Sequence, residues 1–142
     1  MEISQVRKRI QNVINATRSR EQERRQRTDE AERAYAAFLE HVATPVVRQV
    51  ASALKAEGYA FTVGTPGDGL RLASDRGRDD FVEFALDTSG DQPQVIGRIS
   101  QARGSRHIEE ERPLKAGAPP DALSEDDVLD FLMQALERWL AR

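Results

Sequence analysis

Glycine and proline are distributed so unevenly along this chain that they set its architecture. All nine glycines lie between Gly58 and Gly117, and Pro45 is the only proline before Gly58. Because these two residues interrupt regular structure more strongly than any others, residues 1–57 are expected to be almost continuous helix, 58–120 strands and turns, and 121–142 helix again. The predicted class is α+β: a long N-terminal helix, kinked or broken near Pro45, a four- or five-stranded antiparallel meander, and a C-terminal helix packed on the same sheet face.

The apolar pattern supports each zone. Tyr35, Leu39, Val42, Val46, Val50 and Leu54 recur at steps of three and four, which places them on one helical face that needs a cover. Thr44 before Pro45 could cap a new helix, since Pro is tolerated in a first turn; a kink in one continuous helix is the alternative. In the central zone Tyr59, Phe61 and Val63 alternate with small residues, GTPGDG forms a long turn, and Leu70 and Leu72 flank Arg71. SDRGRD is a second turn, with Gly77 expected to be left-handed. Val82, Phe84 and Leu86 share one strand face and Phe81 and Ala85 the other, Val95 to Ile99 form a further strand, and SRHIEEER the last. Its Glu109, Glu110 and Glu111 suit an edge strand, where charge discourages foreign pairing. Near the C-terminus Ser124 can cap with Asp127, and Leu123 can staple onto Val128. Val128, Leu129, Leu132, Leu136, Trp139 and Leu140 are expected to be buried, with Phe131 and Ala135 at the margins.

The first 33 residues differ from the rest and are read as a helical arm for oligomerisation, with 34–142 as the α+β domain. Ile3, Val6, Ile10 and Val13, with Ile14 beside them, follow coiled-coil spacing for two heptads. The seam then lapses, since Arg24 and Arg27 stand where apolar residues would continue it. Glu21, Glu23 and Asp29 each precede an arginine by four residues, an arrangement that supports a solvated helix. A single helix over 3–43 would be on the order of 60 Å long, more than a domain of this size can cover. Charge is asymmetric too. From Met1 to Thr28, Lys8 and seven arginines against Glu2, Glu21 and Glu23 leave a net of plus five, so the remaining 114 residues carry minus eight to give the overall minus three.

Chemistry-bearing motifs are few. Cysteine is absent, which removes disulfides and thiolate chemistry. His41 and His107 have no ligand spacing around them, so no metal is expected. GTPGDG lacks the lysine and following helix of a phosphate loop. Asp68 and Glu83 resemble the carboxylate pair of nucleases, but Ala85 stands where a lysine would be required. Glu83 facing Arg98 across neighbouring strands is expected to be a salt bridge. Neither a membrane-length apolar run nor a signal-peptide pattern occurs, which leaves a cytoplasmic location as the expectation.

These observations favour a non-enzymatic protein-interaction module without a cofactor, of adaptor, chaperone or immunity-like type. It would self-associate, most simply as a homodimer, through Ile3, Val6, Ile10, Val13 and Ile14, with a protein partner and no membrane contact. The alternative is a nucleic-acid-associated accessory protein whose Arg18, Arg20, Arg24, Arg25 and Arg27 contact phosphates. A small enzyme with an unmarked site ranks below both.

Overall fold

The computed structural model describes residues 1–77 and 79–141. It is an α+β fold: helix α1 (Ile3–Phe38), a π-helical stretch (Leu39–Ala43), helix α2 (Thr44–Ala56), strands β1 (Phe61–Gly64), β2 (Leu70–Ser74), β3 (Phe81–Asp87), β4 (Gln94–Arg103) and β5 (Arg106–Pro113), a 3-10 turn (Pro120–Ala122) and helix α3 (Glu125–Leu140). The five strands form one antiparallel meander in chain order, with β1 and β5 at its edges. Two compact units are distinguished, Met1–Glu30 and Ala31–Arg142.

The first unit is helical from Ile3 onward, and its residues from Met1 to Arg27 are all exposed. The path from α1 into α2 is continuous. Proline at position 45 has no N–H to donate, and the chain absorbs this by widening into the π-helical stretch immediately before it, a recognised alternative to a break. Thr44 therefore does not cap. Its backbone is itself helical (φ −61, ψ −46), and α2 begins with no side-chain cap. The helix stops at Gly58, whose positive φ of 91° allows a Schellman ending: Gly58 N–H donates to Lys55 at 3.0 Å and Tyr59 N–H to Leu54 at 2.8 Å. Tyr59 thus lies outside β1.

The register fixes the faces of the sheet. Leu72, Val82 and Ile99 stand side by side, as do Leu70, Phe84 and Gly97. These residues form the face on which α2, α3 and the end of α1 pack, through Tyr35, Phe38, Val47, Val50, Leu54, Val128, Phe131, Leu132 and Trp139. Gly97 is required there, because a Cβ on it would lie 2.3 Å from the Phe131 ring, which meets Phe84 edge-on at 5.9 Å between centroids. Trp139 stacks on Phe61 at 5.4 Å and donates its Nε1–H to the Ser100 carbonyl at 2.9 Å.

Helix α3 starts as expected. The Ser124 hydroxyl accepts from Asp127 N–H at 3.2 Å and the Asp127 carboxylate accepts from Ser124 N–H at 2.9 Å. Those bonds hold the Asp127 carboxyl below the ordinary aspartate value. The buried stripe of α3, however, is rotated from the one expected. Phe131 and Ala135 are buried, whereas Leu129 and Leu140 are exposed, because the helix centres Phe131 over the gap at Gly97. Gly77 is not left-handed either; Gly58, Gly67, Gly104 and Gly117 are. The SDRGRD segment also contains Arg78, which lies outside the described residues.

The glutamates of β5 divide by face. Glu110 lies on the helix-covered side, pairs with Arg138 of α3 and is held below the ordinary glutamate value by that bond. Arg112 beside it bonds Gln134 and lies over the Phe131 ring at 5.2 Å. Among the described residues, no helix is long and apolar enough to cross a membrane.

Candidate functional site

Four surfaces carry side chains that the fold does not consume. The first is the apolar stripe of α1. Ile3 is 85% exposed, Val6 40%, Ile10 53%, Val13 64% and Ile14 41%. At about 100° per residue these five fall within one third of the helix circumference, with Arg7 and Arg9 at its two margins. Arg20, Arg24 and Arg27 prolong the Arg9 side of that face toward the C-terminus, while Arg18 and Arg25 prolong its Arg7 margin. The helix thus presents one face that is apolar, then cationic. The five arginines expected to contact phosphate are divided between the two sides of that stripe. Glu21 pairs with Arg24 at 4.0 Å, three residues on, where Arg25 was the expected partner.

The second surface is a groove of about 410 Å³ between α2 and α3, floored by Val46, Val50, Leu54, Leu129, Met133 and Leu136. Its polar lining consists of Gln49 and three carboxylates, Glu57, Glu125 and Asp126. Leu129 and Met133 are 39% and 38% exposed, so apolar side chains on α3 meet water here. The pattern 125, 126, 129, 133, 136 is an i, i+3/i+4 row on the face of α3 beside the buried stripe. Sequence reasoning assigned Leu129 to the core and so missed the groove; the exposed position of Met133 outside the expected core stripe was the available signal.

The third is a recess of about 620 Å³ where the end of α1 meets the β1–β2 turn and β3, lined by Glu32, Tyr35, Asp68, Glu83 and Ala85 among others. Here the fold does bring Asp68 and Glu83 together, as the nuclease-like spacing required. Ala85 projects no charge, and Glu83 is already committed. One of its carboxylate oxygens accepts from Arg71 at 2.8 Å and from Arg98 at 2.7 Å. Burial raises its pKa, but the bonds and charges of the two arginines outweigh that and hold it below the ordinary glutamate value. Tyr35 donates to the Phe84 carbonyl at 3.2 Å. Burial, with the charges of Asp68 and Glu83, pushes its phenol far above the normal range, so it remains a donor and not a base. Among the described residues, no group of three or more His, Asp or Glu is placed to hold a metal ion.

The fourth is the sheet face away from the helices. Arg71, Glu83 and Arg98 occupy one cross-strand row, as the Glu83–Arg98 pairing predicted, with Arg71 added. Phe81 lies beneath them, 4.3 Å from the Arg71 guanidinium and 5.6 Å from that of Arg98, and is buried on this face with both cations over its ring. Further along, Ser100, His107 and Glu109 converge. Ser100 Oγ is 2.6 Å from His107 Nε2, and Glu109 is 3.5 Å from the same nitrogen. This resembles a nucleophile, base and acid, but its wiring is wrong for that chemistry. The acid meets the nitrogen that faces the serine, whereas a triad acid must hold the other one. Ser100 is wholly buried, and its hydroxyl donates to the Asp79 carbonyl at 2.5 Å, so its proton is already placed. The cluster ties β4, β5 and the β2–β3 turn together. His41 is exposed on the π-helical stretch.

No protein-family profile, curated protein or solved structure matches this chain.

Proposed function

We propose that this chain is a non-enzymatic interaction protein, an adaptor or chaperone-like module, that works as a homodimer held together through its N-terminal arm. One observation carries the reading: five β-branched apolar side chains, Ile3, Val6, Ile10, Val13 and Ile14, share one face of α1 and all are exposed. Burying each of them is worth roughly 1.5 to 3 kcal/mol before the costs of ordering and association. A second copy supplies the matching surface at any concentration at which the first exists, and its acidic remainder complements the basic arm. Glu83 in the α1-end recess is engaged with Arg71 and Arg98, which favours binding over catalysis there.

The nucleic-acid reading has its own support in the exposed arginines of α1. It is weakened by their division between the two sides of the apolar stripe, by the absence of aromatic residues on the arm for base stacking, and by Glu21 and Glu23 among them.

A pair of full-length variants separates the two. Val6→Lys with Ile10→Lys removes the apolar stripe and raises positive charge; Arg24→Glu, Arg25→Glu and Arg27→Glu reverse the basic segment. The dimer reading predicts that the first variant sediments as a monomer and that neither it nor the wild type binds generic duplex DNA appreciably near 150 mM salt. Micromolar duplex binding by the wild type, abolished in the arginine variant and falling steeply with added salt, would install the nucleic-acid reading instead.

A further inference from the structure

We infer that the receptor for the arm is the α2/α3 groove of a second copy, so that the dimer is closed by two equivalent arm-in-groove contacts. The inference rests on the proposed self-association and specifies where the arm goes. Chemical complementarity carries it. The groove has a floor of Val46, Val50, Leu54, Leu129, Met133 and Leu136 and carboxylates from Glu57, Glu125 and Asp126 along its lining. Such a site selects an apolar ridge flanked by cations and disfavours an anionic amphiphile. The arm presents that ridge, with Arg7 and Arg9 on its two margins and Arg20, Arg24 and Arg27 continuing its line. An amphipathic helix laid into an apolar groove is a recurrent recognition mode, read from anchors at i, i+3 and i+7, which are here Ile3, Val6 and Ile10.

Pairing of two arms with each other is the competing geometry, and it fits the charges less well. Two heptads are short for a free-standing coiled coil, and in register the seam would then bring Arg20, Arg24 and Arg27 of one copy into line with cations of the other. Arm-in-groove contact removes that repulsion and buries Leu129 and Met133 as well. A two-fold arrangement in which each copy gives an arm and receives one is a closed, isologous dimer, so no chain of copies propagates.

Mixing tests this directly, with sedimentation equilibrium of full-length proteins as the readout. An arm variant, Val6→Lys with Ile10→Lys, keeps an intact groove. A groove variant, Leu129→Lys with Met133→Lys, keeps an intact arm and changes two residues that are already over one third exposed. Each alone should be monomeric. Their equimolar mixture should recover a heterodimer, because the good arm of one fits the good groove of the other, and recovery shows that both variants are folded. The single remaining contact makes that heterodimer weaker than the wild type, so the mixture is examined up to hundreds of micromolar. A groove variant that stays dimeric would overturn the groove assignment while leaving arm-mediated dimerisation intact. Two monomeric variants that fail to combine would overturn it as well. A wild type that is itself monomeric throughout would overturn both readings.

Discussion

Single residues decide more here than composition suggests. At Gly97 the absence of a side chain is what admits Phe131, so Gly97→Ala forces overpacking and should cost about 1 to 3 kcal/mol in urea unfolding, with larger side chains costing more. Glu83 gives a pH signature. Its carboxyl is held below the ordinary glutamate value by Arg71 and Arg98, so the folded state keeps it ionised where the unfolded chain, with a value of about 4.3, would protonate it. That stabilisation is complete above the unfolded value and is lost as pH falls through the lower folded one. Urea midpoints of Glu83→Gln should therefore lie below wild type at pH 7, and the gap should close progressively below about pH 4. The Glu83–Arg98 contact was legible because alternation in neighbouring strands predicts opposed charges. Arg71 as second partner and the Ser100, His107 and Glu109 cluster were not, since both depend on a register that the sequence does not print.

At the scale of elements, the sequence pattern located the three α-helices and the strands of the meander but not the π-helical stretch, the 3-10 turn or the rotation of each face. The capping box at Ser124 and Asp127 was readable from residue type and spacing alone; Ser124→Ala should cost about 1 kcal/mol, measured by thermal or urea unfolding. The buried stripe of α3 was read one position off. An α-helix with apolar residues at 128, 129, 131, 132, 135, 136, 139 and 140 has a surplus of candidates, and the choice among them is made by what the sheet offers, chiefly the vacancy over Gly97. Leu136→Ala should cost about 2 to 5 kcal/mol and Leu140→Ala about 0.5 or less, because the first side chain is buried and the second half exposed. Equal losses would contradict the assigned face. The junction near Pro45 was legible as an irregularity but not as a π-helical one, because missing N–H donors predict that something must give without saying how.

For the whole molecule, the sheet with its helical cover accounts for the buried apolar residues from Tyr35 onward, while the stripe of the arm and the Leu129 and Met133 side chains of the groove stay exposed. On the proposed reading, the arm's stripe and its charge serve a contact with a second copy of the chain. Sedimentation equilibrium at tens of micromolar tests this most directly, where an association worth about 8 kcal/mol is already well populated. The wild-type chain should run at twice its 15.9 kDa mass and Val6→Lys with Ile10→Lys at the single mass; equal masses for the two, whether both single or both double, would contradict self-association through the arm.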